Sequence, residues 1–143
     1  MEESKVAVKL VDELETAIST AGNAVTQEEY ERNYHIVFDR LGRLEERLGD
    51  SHYLNGDLIT EVDTRLFGIL SRFDTAYYFV YRLNERRIKD YPNLWNYAKN
   101  LYSLPEYKNA TDFEALKREY FLEKTENPDK ILPEGPDESA WLE

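Results

Sequence analysis

The amino-acid sequence predicts an all-α helical bundle, on three observations. Apolar residues recur at steps of three and four over most of the chain, which is the period of one helix face. Caps of the Thr-x-x-acid type stand before two of these stretches. Glycine and proline number only 6 and 5 in 143 residues, so interruptions of regular structure are few and placed.

Taken in order, Val6, Leu10, Leu14 and Ile18 mark a first helix over roughly Ser4 to Thr20. From Gln27 to Leu48 the stripe is Tyr30, Tyr34, Val37, Phe38, Leu41, Leu44 and Leu48, with charged residues opposite. Thr26 is its N-cap, with Glu29 three residues on. Gly49 is expected to stop it in a left-handed conformation. After a turn at Asn55-Gly56, Thr60 caps the next helix and Asp63 reaches back to the cap residue's N–H. That helix carries Val62, Leu66, Ile69, Leu70, Phe73, Tyr77 and Val80 on one stripe and Phe67, Tyr78 and Tyr81 on its shoulders. It is expected to be the most buried element. Pro92 opens a helix at its first turn, with Leu94, Trp95, Ala98, Leu101 and Tyr102 inside, and Pro105 ends it or follows its end. Thr111 or Asp112 caps a last helix from Phe113 to about Leu122.

Residues 1–124 thus read as one helical domain. From Thr125 the pairs Asn127-Pro128, Leu132-Pro133 and Gly135-Pro136 break any helix, and 125–143 read as an extended tail that either wraps over the domain or is partly disordered.

Composition excludes several classes of function. The chain has no cysteine, hence no disulfide, thiolate metal site or thiol nucleophile of its own. With 29 acidic against 18 basic residues the net charge is -11, which disfavours nucleic acid and anionic membranes as partners. A solubility or high-salt adaptation would give the same balance. No apolar run approaches the ~20 residues of a membrane span, and the first residues lack the features of a signal peptide, so the cytoplasm is the default location.

Metal and triad chemistry find little support. Neither His35 nor His52 has a glutamate three residues before it, as a di-iron bundle needs. Ser51-His52 has no evident oriented third partner. No metal ligand and no catalytic residue is assigned. Asp63 reads as a structural cap together with Thr60, and Asp74 as a salt-bridge partner or cap. Arg86 and Arg87 read as partners of local carboxylates before they read as an anion site.

One set of motifs is more specific. Ala21-Gly22 with Thr26-Gln27-Glu28-Glu29-Tyr30, the stretch Leu58 to Leu66, Arg72-Phe73-Asp74 with Tyr77, Arg87-Ile88 and Asp90-Tyr91-Pro92-Asn93-Leu94 follow one another. Phe113, Tyr120-Phe121 and the tail from Thr125 to Pro136 continue the series. In order and spacing these resemble the helical half of glutathionyl-hydroquinone reductases, the Xi class of the glutathione transferase superfamily. The resemblance implies a glutathione S-transferase C-terminal-like helical bundle that works with a thioredoxin-like N-terminal half. That half carries the catalytic cysteine and most of the site for the cofactor glutathione, so this chain alone is expected to be inactive.

The resemblance also implies an aromatic hydroquinone conjugate as substrate and a homodimer as assembly. Of the three tyrosines that line the family's hydroquinone pocket, two fall on Tyr77 and Tyr120. At the position of the third, three residues before Gly22, this sequence has Ser19. Tyrosine suits the role on its own chemistry: a phenol with a pKa near ~10 stays protonated at neutral pH and donates to an oxygen gaining charge. Most of the chain's 11 tyrosines are packing residues all the same, with Tyr30, Tyr34 and Tyr102 assigned to the core. The alternative reading is a non-catalytic, transferase-like interaction module.

Overall fold

A helical hairpin opens the computed structural model, which describes residues 2–123, 131, 132 and 134–142, and their side chains except at 2–4 and 123. Its arms are α1 (Glu2–Gly22) and α2 (Gln27–Asp50). They run antiparallel, with Arg40 Nε 3.1 Å from Glu13 Oε1 midway along the pair. Thr26 Oγ1 accepts the Glu29 N–H at 3.1 Å and starts α2.

The buried face of α1 is Ala7, Val11, Leu14, Ile18 and Ala21, each at most 4% exposed, whereas Val6 is 47% exposed. The stripe expected from bulky residues alone is therefore rotated by one position at its start. Alanines at 7, 17 and 21 let α2 approach closely, and the bulk criterion passes over them.

Gly49 does not end α2. The helix runs to Asp50, and Ser51 leaves it in extended conformation (φ -148, ψ 142). A methyl group at position 49 would sit 3.1 Å from Asn93 Nδ2, so a close approach to the start of a later helix accompanies this glycine. The glycine that does need a left-handed backbone is Gly56, at φ 105. There the loop closes on itself through Tyr53 N–H to Gly56 O at 2.8 Å.

The central rod covers 61–80 and is built in three parts: α3 (Glu61–Arg72), a wide π turn over Phe73–Tyr77, and α4 (Tyr78–Val80). α3 and the π turn touch α1, α5 and α7, and all five residues of the π turn are buried. A single α-helix was the expectation. The wider turn places a continuous run of side chains inside, where an α-helix would return some of them to solvent. Single π turns of this kind recur at functional sites.

A 3-10 turn (Ile88–Asp90) leads into α5 (Pro92–Tyr102), followed by α6 (Pro105–Ala110) and α7 (Phe113–Arg118), which continues as a second π turn (Glu119–Glu123). Pro105 starts α6 at its first position, as proline can because it has no N–H to offer the preceding turn. Asp112 is the residue that caps α7, its Oδ1 accepting the Ala115 N–H at 3.0 Å.

The break expected at 124/125, with Thr125, Asn127-Pro128 and Pro133, lies outside the described residues. Within the tail, Glu138–Leu142 form a 3-10 turn whose Trp141 is 6% exposed. Its ring lies 4.9 Å from Trp95, 5.4 Å from Phe113 and 5.6 Å from Tyr102. Buried Lys117 on α7 holds this segment, with Nζ 2.8 Å from Glu134 O and 3.3 Å from Glu138 Oε1. Among the described residues no helix is long and apolar enough to cross a membrane.

Candidate aromatic substrate cleft

Two wide turns from distant parts of the chain deliver the tyrosines of the candidate site. Tyr77 closes the π turn of the central rod, and Tyr120 lies in the π turn after α7. Their rings meet edge to face at 5.5 Å and 89°, a favoured aromatic geometry. Their hydroxyls are 3.5 Å apart, a weak contact beside the ~2.7–2.8 Å usual for O–H···O. Phe73 supports Tyr77 from the core side, edge on at 6.1 Å.

A small cleft of 220 Å³ opens onto these rings, lined by Glu15, Ile18, Ser19, Ile69, Tyr77, Tyr81 and Tyr120. Ser19, where the expected third tyrosine is missing, is thus on the wall. Tyr81, expected on the shoulder of the central helix, is on the wall too. Its ring stacks on that of Tyr77 at 5.3 Å and 7° and stands edge-on to Tyr120 at 6.0 Å. Gly22 is the reason it fits: a methyl group there would lie 2.5 Å from the Tyr81 ring. The i, i+4 spacing of Tyr77 and Tyr81 in the sequence is the signal that pairs them.

Burial, and after it the contact with Tyr120, pushes the Tyr77 hydroxyl above the ordinary tyrosine value. Withdrawing a phenolate from water is costly, so Tyr77 stays protonated across neutral and mildly alkaline pH. The cleft can therefore stack on an aromatic ring, and it offers phenolic donors to oxygen atoms at that ring's edge. Its lining includes no lysine or arginine.

The other candidate residues lie apart from this cleft. Asp63 is fully buried, with Oδ2 2.9 Å from Thr60 N and Oδ1 3.0 Å from Leu54 N and 2.7 Å from the Tyr97 hydroxyl. Those donors make it a structural anchor between the Tyr53–Gly56 turn, α3 and α5. Asp74 accepts the N–H groups of Ile88 at 2.7 Å and Lys89 at 3.2 Å, and so caps the 3-10 turn. Arg72 turns instead to the Gly68 carbonyl at 2.8 Å. Arg87 pairs with Asp90 at 3.4 Å, and Arg86 lies 3.9 Å over the Tyr91 ring. Tyr30, Tyr34 and Tyr102 pack half-buried against the core. Among the described residues no group of three metal-ligating side chains converges.

The family model for the glutathione S-transferase C-terminal domain matches residues 27–100, and the chain belongs to that family. Its curated relatives include a glutathionyl-hydroquinone reductase of Escherichia coli (strain K12), 36% identical over 128 residues. That match covers 89% of this chain and 39% of the relative. Two solved structures carry the same likeness. The glutathione-bound structure of a glutathione transferase homologue from Escherichia coli K-12 superposes with a TM-score of 0.88 at 33% identity, over 97% of this chain and 46% of that one. The Xi glutathione S-transferase of Phanerochaete chrysosporium gives 0.85 at 35% identity, over 93% and 47%. This chain spans less than half the length of each of these relatives.

Proposed function

We propose that this chain is the substrate-binding helical half of a glutathione-dependent reductase of glutathionyl-hydroquinones. The observation that carries the reading is the convergence of Tyr77 and Tyr120 on one small cleft lined by three tyrosine rings. An electron-rich aromatic diol needs stacking surface for its ring and donors for its oxygens, and such a cleft supplies both.

The thiol chemistry belongs to a thioredoxin-like half, because this chain has no cysteine. There a thiolate attacks the sulfur of the conjugate, the carbon–sulfur bond breaks and the hydroquinone leaves with a proton. A second glutathione then reduces the mixed disulfide and regenerates the thiol. Tyr77 and Tyr120 hold the ring in place and donate to hydroquinone oxygens as negative charge spreads onto them. The glutathionyl part needs cationic partners for its carboxylates. The cleft lining has none, which agrees with glutathione being bound mainly by the other half. A cytoplasmic location and pairing through the helical domain belong to the same proposal, supported by the likeness to transferases.

The test compares the chain alone with the chain joined to the N-terminal half of the Escherichia coli relative. The expected outcome is no hydroquinone release by the chain alone and glutathione-dependent release by the joined protein. Release by the chain alone would overturn the reading. So would a folded, glutathione-binding joined protein with no turnover, which would favour the interaction-module alternative.

A further inference from the structure

We propose that Tyr81 is a substrate-contacting ring of the cleft and that Ser19 opposite it sets the width. Together they select fused-ring hydroquinones over single-ring ones. The inference rests on the reductase reading and deepens it by naming the class of hydroquinone.

Tyr81 is held where a ligand would meet it. Its ring continues the Tyr77 stack at 5.3 Å and nearly parallel, and forms part of the cleft wall. Immediately after it the backbone turns sharply, with Arg82 at φ 57, a left-handed conformation that non-glycine residues disfavour. Two contacts fix that turn. The Tyr30 hydroxyl donates to the Arg82 carbonyl, and the Arg82 guanidinium lies 5.8 Å over the Tyr30 ring. Leu83, fully buried, anchors the far side. Gly22 admits the ring from the α1 side. Four separate features therefore position one half-buried tyrosine, which simple packing does not require.

The α1 wall is the opposite case. Ser19 is small and exposed, and the residues that α1 gives to the cleft, Glu15, Ile18 and Ser19, carry no ring, in contrast to Tyr77, Tyr81 and Tyr120. A ligand wider than one ring would extend along that α1 side.

The test is an NMR titration of the chain, without oxygen, using hydroquinone and naphthalene-1,4-diol. Expected is movement of the Ser19, Tyr77 and Tyr81 signals, with naphthalene-1,4-diol binding about fivefold tighter than hydroquinone. Ser19→Tyr should weaken naphthalene-1,4-diol about tenfold and leave hydroquinone within about twofold. Tyr81→Leu, which keeps apolar bulk but removes the ring, should weaken both diols about fivefold. Ser19 is exposed, so its variant keeps the test open if Tyr81→Leu folds poorly. If the diols move Tyr77 but Ser19→Tyr leaves the preference unchanged, or a folded Tyr81→Leu binds both diols as before, the inference fails and the reductase reading stands. If no probe moves Tyr77 or Tyr120, both fail.

Discussion

Asp63 shows how one residue ties several levels of this molecule together. Its carboxylate is fully buried and accepts from the Thr60 backbone, the Leu54 backbone and the Tyr97 hydroxyl. Asp63→Ala removes the acceptor and leaves those donors unpaired, each costing about 1–3 kcal/mol when buried. A loss of about 3 kcal/mol or more in urea-unfolding free energy is expected. Gly22→Ala places a methyl group 2.5 Å from the base of the Tyr81 ring, where the ring has little freedom to swing away. Overpacking of this kind costs about 1–3 kcal/mol, and the variant should also shift the Tyr81 ring resonances. The cap role of Asp63 could be read locally, because Thr60 and Asp63 are three residues apart. Its partnership with Tyr97 could not, and neither could the fit of Gly22 against Tyr81, since both depend on helices distant in sequence.

Helices were the most legible elements, because their signals repeat. The stripes of α2, α3 and α5 and the caps at Thr26 and Asp112 are local patterns. The departures share one cause: an element boundary set by a neighbouring element. Gly49 looked like a stop but stays helical where α2 passes Asn93. The N-terminus of α5 is capped from α2, with Glu45 Oε2 2.9 Å from Asn93 N and Oε1 2.8 Å from Leu94 N. A carboxylate there satisfies donors that α5 cannot satisfy itself and complements the helix dipole. Glu45→Ala should cost about 1–2 kcal/mol, read as a lower urea midpoint, with Glu45→Gln recovering part of it. The π turn at Phe73–Tyr77 differs from an α-helix by about one residue per turn, too little for the apolar spacing to register. Yet it is this turn that ends on Tyr77.

At the scale of the whole molecule, the convergence of Tyr77 with Tyr120, 43 residues apart, was readable only through the resemblance to a known family. Nothing in either residue's surroundings in the sequence distinguishes it from the other tyrosines. Burial does distinguish some of them in the fold. It pushes Tyr77 and Tyr97 above the ordinary value of 10.0 and Tyr91 up to about 12. In the unfolded chain these hydroxyls ionise near 10, so the folded state binds more protons above that pH. Their contribution to stability is complete below pH ~10 and lost as pH rises through the folded values. Part of the absorbance change at 295 nm, that of the buried Tyr77 and Tyr97, should therefore appear only as the fold opens, recorded by circular dichroism on the same samples.

The central claim is that Tyr77 and Tyr120 are the donors and ring contacts of a hydroquinone site in the assembled reductase. Its most direct test is the kcat for hydroquinone release by the joined protein carrying Tyr77→Phe, Tyr120→Phe, and both. Phenylalanine keeps the ring and removes the donor. If the donors act on charge that develops during the reaction, kcat should fall about tenfold or more for the double variant while KM changes little. Unchanged kcat in the double variant, with the protein folded and glutathione still bound, would contradict the account and return these tyrosines to the core.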